Sequence, residues 1–281
     1  MELGREERGA VTVTRVRTAG CEVDVTDHGA QVLRWRPTGG PDAVWISPRA
    51  TYERGRPIRG GVPLCFPWFG LREGAPSHGF ARLVRWLAEE PEADGEGVRF
   101  RWVLEPDADT TGWWPHPFRV EVTVYAGREL HHVVRVENAG GQALPCELAL
   151  HGYLGVRDAA AAYVEGLDGA AVLDKVDGRS GVQGAGPLGF GAEVDAVFTP
   201  ASRRVTLVDP GLGRRLHLDR DGAAHVVAWN PGPHKALGDL PDDGWRAFVC
   251  LETAAVAPTP LLLPPGGARV VTQRLSVEEQ G

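Results

Sequence analysis

The chain has 281 residues, 43% of them hydrophobic and 24% charged, a balance that fits a globular protein and excludes a disordered or fibrous one. A net charge of −7 and a pI near 5.7 argue against nucleic acid or an acidic membrane surface as partner, while leaving room for a local basic pocket that binds a small anion. Gly 37 and Pro 22 make up about a fifth of the chain, which favours many turns and short strands over long helices.

In chain order, VTVTRV (11–16), CEVDVT (21–26), VRFRWVL (98–104), FRVEVTVYA (118–126), LHHVVRVEN (130–138) and RVTLVD (204–209) approximate two-residue alternation and are rich in Val, Thr and aromatics. Gly, Pro, Asp and Asn clusters separate them. The pair 118–126 and 130–138 reads as a hairpin closed through AGRE. No window of helical length shows a 3.6-residue period. The Gly-rich segment 177–195 is expected to be a surface loop. With no linker dividing the chain, residues 1–281 read as a single all-β domain, a large antiparallel sandwich.

The N-terminus MELGREERGA is charged and lacks the apolar stretch of a signal peptide, and no apolar run approaches the ~18 residues that span a bilayer. Cys21, Cys65, Cys146 and Cys250 are widely spaced with no C-x-x-C pair, so a cytoplasmic, disulfide-free protein is expected.

Four islands break the strand pattern. IRGGVPLCFPWFG (58–70) sets glycines and prolines among large apolar groups, which predicts a rigid loop with an aromatic wall of Phe66, Trp68 and Phe69. Arg59 at its start is either a surface cation or an anion clamp, because guanidinium binds phosphate bidentately. PSHGFAR (76–82) adds His78 and Arg82. A histidine before glycine is often only a turn residue, but two arginines around it in an acidic protein favour an anion site. Arg72 and Arg85 compete for that role, and Trp86 offers a flat face suited to sugar C–H groups. In CELALHGYLG (146–155), alternation puts Glu147, Ala149, His151 and Tyr153 on one strand face. His151 is either a core histidine or a general acid/base near neutral pH. In WRAFVCLETAAVAP (245–258), Phe248, Cys250 and Glu252 share a face, and Glu252 is either an ion-pair partner or a catalytic carboxylate. Trp229, Asn230 and Lys235 lie in a Pro-Gly-rich segment as further binding candidates. A metal site from His78, His131, His132 and His151 is not expected, since their spacing lacks ligand form and adjacent His131 and His132 point to opposite faces.

Taken together, RGGVPLCFPWFG, HGFAR, LALH and VCLETA, in this order, resemble the hexose-6-phosphate mutarotases (glucose-6-phosphate 1-epimerases) of the aldose 1-epimerase superfamily, over roughly residues 20 to 275. The resemblance implies a galactose-mutarotase-like antiparallel β-supersandwich and a cofactor-free isomerase that acts on a sugar phosphate as a monomer or weak dimer. It implies His151 as catalytic acid, Glu252 as catalytic base, Arg59 and Arg82 as phosphate ligands, and His78 and Asp195 as sugar ligands, with Trp229 beside them. The chain departs from the family pattern at Ala196 and Phe198, which follow Asp195 where arginine and tyrosine are usual. It departs again at Gly152 and Leu154 beside His151. These changes are expected to widen or reshape the sugar pocket. Acid and base are expected to meet across the bound pyranose, with neighbouring charge favouring imidazolium.

Overall fold

A computed structural model describes residues 1–279 of the chain. Its secondary structure is almost wholly antiparallel β. One sheet has four strands in sequence order, from Glu2–Arg8 to Gln31–Pro37. A second has ten strands and a third has seven; a separate two-stranded ribbon pairs Leu144–Cys146 with Leu261–Leu263. The strands Phe118–Ala126 and Leu130–Asn138 form the hairpin that alternation predicts, with Val122 opposite Val134. Both show strict buried/half-buried alternation, because one face of the ten-stranded sheet packs on the core and the other meets solvent.

Two expectations are corrected. A six-residue helix, Ala108–Trp113, forms where no helical period exists. It is held by a reciprocal cap: the Asp107 carboxylate accepts from the Thr110 amide at 2.8 Å, and the Thr110 hydroxyl accepts from the Asp107 amide at 2.8 Å. The segment 177–195 is largely exposed but not a plain loop. It carries short strands at Ser180–Val182 and Leu188–Gly189, and Phe190 within it is fully buried.

The principal core fills the space between the sheets. Trp102, Val122, Val134 and Leu216 of the ten-stranded sheet meet Leu150, Phe198, Val226 and Leu251 of the seven-stranded sheet, and Val23 and Trp35 join them from the four-stranded one. The two central strands of the seven-stranded sheet, Leu148–Gly155 and Phe248–Ala255, are buried at every position. Their second face carries a small apolar cluster of Cys65, Ala149, Val197, Val227, Ala254 and Val256. That second face is the floor of the candidate site. All four cysteines are buried and unpaired. No helix among the described residues is long and apolar enough to cross a membrane.

Candidate active site

Sheet register assembles the floor. Across the seven-stranded sheet the order is Ser180–Val182, Ala171–Asp174, Val194–Thr199, His225–Asn230, Phe248–Ala255, Leu148–Gly155, Leu64–Cys65. One cross-strand row reads Val197, Val227, Glu252, His151. The next row on the same face reads Asp195, Trp229, Cys250, Tyr153. All of these side chains but Cys250 line one cavity of about 880 Å³, although they come from positions as distant as His151 and Glu252. Arg59, His78, Arg82 and Lys175 complete its walls. The seven residues that the family resemblance marks as a site, Arg59, His78, Arg82, His151, Asp195, Trp229 and Glu252, all line this one cavity.

His151 and Glu252 are directly opposite in the register, and Nε2 of the imidazole lies 3.3 Å from Oε1 of the carboxyl group. They stand side by side on the floor. Glu252 is 1% and His151 6% exposed. His151 Nδ1 and Glu252 Oε2 are enclosed without hydrogen-bond partners. Burial holds the Glu252 carboxyl group well above the usual carboxylate range, and the Asp195 carboxylate pushes the same way. Burial, with His78, Arg82 and Arg59 nearby, holds His151 well below the usual imidazole range. Both shifts favour the uncharged forms of the pair, a carboxyl group and a neutral imidazole.

The cation wall has an internal division of labour. The Arg59 guanidinium donates to Asp239 Oδ2 at 3.0 Å and to the Tyr153 hydroxyl at 2.8 Å. Burial opposes its charge, but Tyr153 and Asp239 outweigh burial and keep Arg59 protonated. Lys175 lies 3.6 Å from Asp195 and over the Phe69 ring, while Lys235 on the rim pairs with Glu193. Among the described residues Arg82 has no carboxylate partner at all. One of its nitrogens donates to the Ser77 carbonyl at 2.9 Å and its Nε is enclosed without a partner.

His78 sits in the left-handed region at φ 62°, and Gly79 follows at φ 74°. A Cβ at Gly79 would collide with the Phe66 carbonyl oxygen, so this close approach of two backbone segments requires glycine. His78 Nδ1 accepts from the Gly70 amide at 3.3 Å, which leaves Nε2 as the donor in the neutral ring. Burial, reinforced by Arg82, Lys175 and Arg59, pushes its pKa down to about 3. Glu147, on the floor strand side, accepts from the Phe69 and Ala257 amides at 2.8 and 2.7 Å and so ties two rim loops together.

Several other candidates fall elsewhere. Phe66 and Trp68 point into the core, so only Phe69 of the expected aromatic wall faces the cavity. Trp86 is buried and donates to the Ala81 carbonyl at 2.8 Å. Arg72 stacks over Trp68 and Arg85 lies near Asp27, both away from the cavity. Asn230 is fully buried and structural, donating to the Trp245 and Phe248 carbonyls at 2.8 Å each. His131 and His132 belong to the ten-stranded sheet. Among the described residues there is no group of three or more His, Cys, Asp or Glu side chains able to hold a metal. Conversely, the cavity includes Tyr153, Lys175 and Asp239, to which the sequence reading gave no role.

The four departures from the family pattern do not reshape the cavity wall. Ala196, Phe198 and Leu154 are buried in the principal core, on the face opposite Asp195, Val197 and Tyr153. At Gly152 an added Cβ would meet the Leu251 carbonyl oxygen at 3.0 Å and approach Gln273 of the ten-stranded sheet. Strand alternation turns all four away from the sugar-facing side.

The sequence profile described as Aldose 1-epimerase matches residues 12–276. The chain belongs to the aldose 1-epimerase family. A Salmonella typhimurium protein provisionally named glucose-6-phosphate 1-epimerase is 36% identical over 237 residues, covering 82% of this chain and 79% of that protein. An Escherichia coli K12 protein of the same provisional name is 35% identical over 237 residues, covering 83% and 79%. The crystal structure of a provisionally named mutarotase from Salmonella typhimurium superimposes with a TM-score of 0.92 at 30% identity, covering 99% of this chain and 94% of that one. The β-supersandwich expected for an aldose 1-epimerase is therefore the fold observed.

Proposed function

We propose that the protein is a hexose-6-phosphate mutarotase, interconverting the α and β anomers of its substrate. The observation that carries this reading is the contact between His151 and Glu252 on the floor of a cavity walled by Arg59 and Arg82. Glu252, as carboxylate, takes the proton of the anomeric hydroxyl O1 while His151, as imidazolium, gives one to the ring oxygen O5. The C1–O5 bond breaks and C1 becomes an open-chain aldehyde. Rotation about C1–C2 offers the other carbonyl face, and reclosure returns both protons with C1 inverted. The pair ends in its starting protonation state, so turnover consumes nothing. Each positioned proton transfer contributes typically ~10²–10⁴-fold.

In this reading Arg82 and the outward edge of Arg59 hold the phosphate group, and His78 Nε2, Asp195 and Trp229 hold the sugar. Lys175 holds Asp195 in place through their 3.6 Å contact. The four buried, unpaired cysteines support a cytoplasmic setting. We also read residues 1–281 as one domain acting as a monomer or weak dimer. NMR exchange spectroscopy on a panel of hexoses and their 6-phosphates tests the assignment. Catalysed anomer exchange is expected for a 6-phosphate, and binding without exchange would leave only a sugar-phosphate binder. One observation favours a second reading, turnover of unphosphorylated aldoses: Arg59 is already paired with Asp239. Faster exchange of the free hexose than of its phosphate would select it.

A further inference from the structure

We propose that a dianion bound at Arg59 and Arg82 switches on the His151–Glu252 pair, so that the phosphate group activates turnover and is not merely a handle. The inference rests on the sugar-phosphate reading above and extends it from binding to control of the chemical step.

The argument starts from contacts. The Arg59 guanidinium donates to the Tyr153 hydroxyl at 2.8 Å. The Tyr153 ring lies flat on the His151 ring, with centroids 4.9 Å apart and planes 12° from parallel. The His78 ring meets His151 edge-on with centroids 5.8 Å apart. Two uncharged rings thus lie against the imidazole, and the nearest charge traced by contact is that of Arg59, reached through Tyr153. The charges of Arg59 and Arg82 oppose a third cation beside them, which adds to burial in disfavouring the imidazolium form of His151.

Other elements contribute less to that balance at the imidazole. Asp239 already compensates Arg59, and Asp195 and Lys175 compensate one another. Cys250, next to Glu252 on its own strand face, is held in the neutral thiol form by burial and by Glu252. Arg82 alone has no carboxylate partner among the described residues. A dianion on Arg82 and Arg59 would offset the two positive charges that disfavour protonation of His151. One proton then passes from the Glu252 carboxyl group to His151 Nε2 across their 3.3 Å contact. The pair becomes carboxylate and imidazolium, its total charge unchanged, which is the state that ring opening uses. A sugar without phosphate enters the same floor but meets the wrong tautomer of the pair.

A substrate divided into two pieces tests this. Anomer exchange of glucose is followed by NMR with and without phosphite, at a pH where phosphite is a dianion, and compared with glucose 6-phosphate. Saturable acceleration of glucose exchange by phosphite, roughly tenfold or more, is expected. In ¹⁵N spectra the His151 ring, assigned by its loss in His151→Gln, is expected to move to the imidazolium position when phosphite is added. Phosphite that is inert or inhibitory towards glucose, while glucose 6-phosphate is turned over rapidly, overturns the proposal and leaves the enzyme assignment intact. A His151 ring that stays neutral at saturating phosphite overturns it as well. Failure to exchange glucose 6-phosphate at all removes the functional reading and this proposal with it.

Discussion

Replacing Glu252 by Gln separates chemistry from folding, because the two effects run in opposite directions. The substitution keeps the shape of the side chain and removes its proton chemistry. In the fold the carboxyl group is 1% exposed, with one oxygen 3.3 Å from His151 and the other without a partner. Loss of one positioned proton transfer lowers turnover by ~10²–10⁴-fold, roughly 2.7–5.4 kcal/mol in barrier. Substrate binding is expected to survive, since Arg59 and Arg82 are untouched. Stability is expected to rise. Burial and Asp195 raise the pKa of Glu252 well above its ordinary 4.5, so at higher pH the unfolded chain releases a proton that the folded chain retains. The contribution of Glu252 to stability is full below 4.5 and declines as pH increases, and glutamine has no such decline. The variant should therefore melt higher than the parent near neutral pH, by roughly 2–4 °C per kcal/mol, with the difference vanishing in acid. NMR exchange between glucose 6-phosphate anomers, titration calorimetry and melting curves over a pH series measure the three quantities. Wild-type exchange in Glu252→Gln would falsify the base assignment, and a variant less stable at neutral pH than in acid, relative to the parent, would refute the reasoning about burial.

The remaining predictions concern the walls and the core. Arg82→Ala and Arg59→Ala should each weaken sugar-phosphate binding roughly tenfold to a hundredfold, and free-sugar binding far less, by calorimetry; equal losses for both ligands would remove the phosphate-clamp role. Phe198→Tyr restores the side chain usual in the family but buries a hydroxyl in the principal core. It should cost about 1–3 kcal/mol in chemical denaturation and leave the ranking of hexose substrates unchanged; a changed ranking would mean that residue 198 reaches the sugar after all. His132 lies fully enclosed in the ten-stranded sheet with neither ring nitrogen bonded, and burial, with His131, lowers its pKa to about 3. The unfolded chain gains a proton there that the folded chain refuses, so its contribution to stability, present above 6.5, is lost as pH falls towards 3 at up to ~1.4 kcal/mol per pH unit. His132→Leu should flatten the acid side of the melting profile; an unchanged acid slope would exclude His132 as its source.

What the sequence made legible divides along physical lines. Strands with one wet face advertise themselves, and Val11–Arg17, Phe118–Ala126 and Leu130–Asn138 fall where alternation puts them. Glu2–Arg8 does not, because all of its side chains but the last are exposed and its strand form comes only from pairing with Val11–Arg17. The helix Ala108–Trp113 is too short for a period and is specified by its cap. At the site, His151 and Glu252 were visible as polar residues in apolar strands, a costly placement that calls for a reason. Lys175 and Asp239 were not, since both sit in polar turn segments where most charged residues only face water. Their roles depend on which loop meets which, information that local pattern does not carry. The departures at Ala196 and Phe198 were visible, but their direction was not: one step of alternation decides whether such a change alters chemistry or packing.

The pairing of His151 with Glu252 in the register has a consequence for how activity and folding are tied. Sliding either central strand by a single position would turn its His151 or Glu252 inward among the valines and leucines and separate the pair on which the proposed chemistry depends. Such a misaligned molecule could look well folded by its strand content and still be inert. Recovery of anomer exchange after denaturation would therefore report correct strand alignment, a property that circular dichroism does not resolve.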